Sequence, residues 1–68
     1  MNKWTWRDID DIALDLVEKF PAIDPLTVKL PELKKMVTEL PTFADNPDVV
    51  SDKTLEAIQG AWYDEYED

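Results

Sequence analysis

Neither cysteine nor histidine occurs in this 68-residue chain. Their absence excludes disulfides, the usual Cys and His zinc sites, and the common nucleophile–base pairs of hydrolytic enzymes. Glycine occurs once, at Gly60, so there is no glycine-rich loop to cradle a phosphate. No stretch approaches the ~20 apolar residues of a membrane span, and residues 1–7 lack the charged and apolar blocks of a signal peptide, so the expected location is cytoplasmic. Positive charge is scarce as well. Seven Lys and Arg face sixteen Asp and Glu, a formal net charge of -9. A field of that sign repels nucleic-acid phosphates and anionic headgroups, and attracts basic protein surfaces or hard cations.

What is present suffices for a small core. The chain is 44% hydrophobic, with three Trp, two Phe and two Tyr, enough for one domain over 1–68 despite the acidity. Asp8 is a good N-cap, with Asp11 in a capping-box-like position, and Ile9, Ile12, Ala13, Leu16 and Phe20 then recur at helical spacing until Pro21 ends the stripe. Asp24-Pro25 predicts a short turn through Thr27, followed by an extended Val28–Leu30. Pro31 and Glu32 open a second helix whose Leu33, Met36, Val37 and Leu40 share one face, and Pro41 closes it. Between Pro41 and Val50 lie turn-forming residues, with Phe43 as the anchor into the core. Ser51 caps the last helix, in which Leu55, Ile58, Ala61 and Trp62 form the apolar face. Residues 1–5 and 64–68 are expected to be flexible. The predicted fold is all-α: a small three-helix bundle, winged-helix-like in outline, with at most a minimal β ribbon pairing the segments around Val28 and Phe43. Gly60 inside the last helix is expected to mark close helix packing or a local kink.

With no thiol or imidazole, carboxylates carry whatever chemistry the chain has. Asp8, Asp11, Asp15 and Glu18 fall at i, i+3, i+7 and i+10 of the first helix, lining one side with Asp10 beside them. Like charges at this spacing disfavour the helix slightly, so the acids are either a solvated polar face or a contact surface for a basic partner. Oxygen ligands suit magnesium, calcium, manganese and ferrous iron, but a single helix face cannot wrap an ion, so any metal should be held weakly and exchangeably. No enzymatic activity is expected: a glycosidase-type carboxylate pair would need a cleft that a chain this small can scarcely build. DNA binding is disfavoured by the charge of the second and third helices, where Lys34, Lys35 and Lys53 stand against Glu32, Glu39, Asp52 and Glu56. Size and charge favour a monomer.

Trp6-Arg7-Asp8, Asp11-Ile12-Ala13, Phe20-Pro21, Asp24-Pro25, Thr27-Val28-Lys29, Phe43, Pro47, and Leu55-Glu56-Ala57-Ile58 followed by Trp62 and Asp64-Glu65 carry a family likeness. In order and spacing, from Trp6 to Glu65, they make the chain resemble the IscX-type iron–sulfur cluster assembly family. The resemblance implies a small acidic bacterial protein of helical, winged-helix-like fold that binds the cysteine desulfurase supplying sulfur. The surface it uses is basic and is shared with frataxin and ferredoxin, with which it would compete. It also implies weak ferrous iron binding through surface carboxylates, and a role as adaptor, regulator or iron donor. Carried over by position, Asp8, Asp11, Glu18 and Asp24 match acidic positions of the family for partner and metal, and Asp45 matches one in the loop after the second helix. Asp15 adds a carboxylate that the family is not expected to require. The near-continuous acidic run of relatives is broken here by Pro41, Thr42, Ala44 and Asn46. Lacking thiols, the chain can neither accept a persulfide nor hold a cluster in a Cys framework, which leaves binding as its part in such a pathway. Asp11 and Asp15 are both expected to point to solvent.

Overall fold

The structure, a computed structural model, describes residues 3–67. Three α-helices succeed one another: α1 (Ile9–Lys19), α2 (Leu30–Thr38) and α3 (Asp52–Glu67). A 3-10 turn precedes each of the last two, at Pro25–Thr27 and Pro47–Val49. No strand occurs among the described residues, so the all-α bundle expected from the sequence is what forms. The ribbon is reduced to one isolated parallel bridge. Its partners are Trp4 and Phe43, not the segments around Val28 and Phe43, because Val28 is the C-cap of the Pro25–Thr27 turn and leads directly into α2.

The core is one cluster, drawn from Ile12, Ala13 and Leu16 of α1, Leu33 and Val37 of α2, and Leu55, Ile58 and Trp62 of α3, with Trp6, Val28 and Leu40 completing it. No charged or polar residue is buried among the described residues, as expected where charges have no paired interior partner. α1 packs chiefly on α3. Trp62 is fully buried at the centre, and its indole N–H finds no acceptor. The large ring thus contributes apolar burial at the cost of one unmade hydrogen bond.

Local rules account for most boundaries. Asp24 and Asn46 each accept a hydrogen bond from the backbone N–H two residues on, and each is followed by Pro, so the same Asx-Pro device builds both 3-10 turns. Ser51 Oγ accepts from the Thr54 N–H at 3.3 Å and caps α3. α2 begins one residue earlier than Pro31, with Lys29 as its N-cap, and ends at Thr38, before Leu40. The Gln59 side-chain amide joins α3 to the first turn, donating from Nε2 to the carbonyls of Pro25 and Val28.

Two expectations need correction, on the cap of α1 and on Gly60. Asp8 occupies the N-cap of α1, but neither its carboxylate nor that of Asp11 closes a capping box; with ψ near 57° the Asp8 side chain turns back and accepts from the Thr5 N–H at 2.9 Å. Gly60 answers to no close packing, since a Cβ there would meet nothing within 4 Å. α3 continues through Glu67. At the other end, residues 3–5 are bonded into the fold: Trp4 N–H donates to Thr42 O at 2.6 Å and Ala44 N–H to Trp4 O at 2.9 Å. Met1, Asn2 and Asp68, also expected to be flexible, lie outside the described residues.

Candidate functional site

The periodicity of α1 decides which acids face outward. Ile12, Ala13 and Leu16 are buried, so the opposite ridge is Asp10, Leu14 and Glu18, all exposed, with Asp11 half-buried on its flank. Asp10, which the sequence suggested only as a neighbour of the acidic side, stands on the ridge itself. Leu14 is 44% exposed, a large apolar side chain amid carboxylates. A four-residue spacing places Asp10, Leu14 and Glu18 one above the other. The exposure of Leu14 was legible as its failure to fit the Ile12–Leu16 stripe.

Asp15 does not point freely to solvent. Its Oδ2 accepts from the indole Nε1–H of Trp4 and from the Thr42 hydroxyl, both at 2.5 Å, and the residue is half-buried. One carboxylate oxygen therefore fastens α1 both to the N-terminal segment and to the corner after α2. Asp45 serves a parallel purpose. Its Oδ2 accepts from the Trp6 N–H at 3.2 Å and its Oδ1 from the Asn46 N–H at 2.7 Å. Around these, Lys3 Nζ donates to Pro41 O at 2.9 Å and Trp6 Nε1 to Asn46 O at 2.7 Å, while the Trp6 and Phe43 rings meet edge-on with centroids 4.6 Å apart. Lys3 to Trp6 form a strap sewn along residues 41–46. Sequence spacing gave no sign of this because the bonds join residues 11 to 40 positions apart.

The six carboxylates singled out by sequence thus divide. Asp8, Asp15, Asp24 and Asp45 accept hydrogen bonds that shape turns or fasten the strap. Asp11 and Glu18 accept none among the described residues. Nor do the six converge: among the described residues no three Asp or Glu side chains lie close enough together to hold a metal ion. Ion pairing is equally sparse, the one bridge among the described residues being Lys34 with Asp48 at 3.7 Å between exposed side chains, a pair worth little. Most of the negative charge is left to face solvent and whatever meets it there. Near the end of α3 the Tyr63 hydroxyl donates to the Glu67 carboxylate; that bond, more than burial or repulsion from Glu67 and Asp24, raises the phenol above its ordinary value.

A sequence model of the iron–sulphur cluster assembly family matches residues 4–67. The chain belongs to that family. The matched residues span the strap from Trp4 onward, all three helices and both 3-10 turns, and the resemblance carried by Trp6 through Glu65 is the same one. The chain is also similar to an uncharacterised protein of Pseudomonas aeruginosa, 45% identical over 60 residues that make up 88% of this chain and 91% of that one. The family's work is iron–sulfur cluster assembly. No helix among the described residues is long and apolar enough to cross a membrane.

Proposed function

We propose that this member of the cluster assembly family is a non-catalytic adaptor that docks its acidic α1 ridge on a basic surface of the cysteine desulfurase. The observation that carries this is the ridge itself: Asp10, Asp11 and Glu18 lie on one side of α1 with no ion-pair partner among the described residues. Carboxylates left unpaired in this way steer toward a cationic surface and lose affinity as salt screens them. Leu14 between them supplies an apolar contact that excludes water from the pairs around it. Frataxin and ferredoxin, as users of the same basic surface, would then compete with it.

In this proposal ferrous iron is a weakly held, exchangeable ion on one or two ridge carboxylates rather than a resident cofactor. A second reading, docking with no physiological metal, is favoured by the lack of any three-carboxylate group among the described residues and by the prior use of Asp8, Asp15, Asp24 and Asp45 within the fold. Anaerobic ferrous titration followed by NMR separates the two. Broadening confined to Asp10, Asp11 and Glu18 supports the ion, and unchanged spectra at millimolar iron leave docking alone.

A further inference from the structure

Four hydrogen bonds hold Lys3 and Trp4 to the rest of the described chain. The Lys3 ammonium donates to the Pro41 carbonyl at 2.9 Å, the Trp4 N–H to Thr42 O at 2.6 Å and the Ala44 N–H to Trp4 O at 2.9 Å. The fourth, from Trp4 Nε1–H to Asp15 Oδ2 at 2.5 Å, is the one that reaches a helix. The neighbouring parts are fixed by bonds of their own. Thr5 is tied to the start of α1: its N–H donates to Asp8 Oδ2 at 2.9 Å and its carbonyl accepts from the Asp8 N–H at 3.0 Å. Trp6 is buried, with its indole on Asn46 O and its ring against Phe43. The corner after α2 keeps a separate bond to α1, from the Thr42 hydroxyl to Asp15. Trp4, by contrast, is only half-buried.

We propose that Lys3 and Trp4 form a flap that hinges at Thr5 and opens while the three helices stay packed, with the Trp4 indole on Asp15 as its catch. Opening breaks the four bonds and exposes one half-buried indole; hydrogen bonding to water and recovered backbone freedom offset part of that loss. Trp6 stays in the core and Thr42 stays on Asp15, so no helix has to move. A segment with few buried apolar contacts opens locally at a lower free energy than the whole domain. The Asp8 carboxylate, turned back to Thr5 instead of capping α1, sets where the flap ends. Asp15 and Thr42 also line a groove of about 270 Å³ between α1 and the corner after α2. Flap opening therefore alters that groove at its Asp15 and Thr42 end. The device belongs to this chain alone and is independent of any partner of the α1 ridge.

Native-state hydrogen exchange of the ¹⁵N-labelled full chain tests this, because its three indole N–H groups report three places: Trp4 in the flap, Trp6 beside it and Trp62 at the centre of the core. The Trp4 amide and indole and the Ala44 amide are expected to exchange through one common opening that hardly varies with urea, since little surface is exposed. The Trp6 and Trp62 indoles and the Leu16 and Ile58 amides should show the steep urea dependence of global unfolding. If the Trp4 and Ala44 protons share the slope of Trp62, there is no flap. If Trp6 joins the Trp4 set, the hinge is not at Thr5 and the assignment fails as well. Trp4→Phe keeps a ring but removes the catch, and should speed Ala44 exchange about tenfold, the scale of a hydrogen bond to a charged group. Thr42→Val keeps the catch and should not speed it. Thermal melting reports that each variant is folded. Unchanged Ala44 exchange in folded Trp4→Phe, or a tenfold gain in folded Thr42→Val, would place the catch elsewhere and overturn the proposal.

Discussion

Asp15 and Asp11 are the same residue type on the same helix, four positions apart, yet they have different work. Asp15 ties together three parts of the chain through one oxygen, while Asp11 ties nothing among the described residues. Asp15→Ala is expected to lower stability by about 2 kcal/mol, since two hydrogen bonds to a charged, half-buried acceptor are lost. Asp11→Ala should stay within about 0.5 kcal/mol of the native chain. Urea unfolding of both variants measures the difference, and equal values would mean the strap contributes nothing. Gly60→Ala should stabilise by about 1 kcal/mol, because an exposed helix interior gains from the exchange and no neighbour obstructs the new methyl. For Tyr63 the folded state favours the protonated phenol, so its stabilisation is present below the ordinary value of 10.0 and is lost as pH rises through the raised one.

At the scale of elements, the helices were legible in the sequence because their signals are local. The Ile12–Leu16 stripe, the Asp24-Pro25 turn and the Ser51 cap depend on residues within a few positions of each other. The strap was not legible, because nothing near Trp4 signals pairing with Thr42 and Ala44 some forty residues away. The same limit explains why Asp15 and Asp45 read as surface charges: both donors to Asp15, and the Trp6 N–H that reaches Asp45, come from distant segments, and composition cannot assign them. α3 carries a strain of a different kind. Its last turns hold Asp64, Glu65 and Glu67, and no basic residue offsets the negative end of the helix dipole. Glu65→Lys should raise the melting temperature at low salt, with the gain shrinking as salt is added. A gain that ignores salt would point to packing, not to the dipole.

Over the whole molecule, a net charge of -9 with one weak ion pair among the described residues leaves the free chain repelling itself. Added salt should therefore stabilise the isolated protein while weakening its complex with a basic partner, two opposite trends from one cause. The absent thiols and imidazoles fit the docking proposal, in which sulfur chemistry would belong to the partner and this chain would contribute surface. The most direct test is the affinity for the cysteine desulfurase, measured by calorimetry across a salt series, of the native chain and of Asp11→Lys with Glu18→Lys. Docking through the α1 ridge predicts that the double reversal weakens binding by at least about tenfold at low salt and flattens its salt dependence, with helical content unchanged. Native affinity in that folded variant would contradict it.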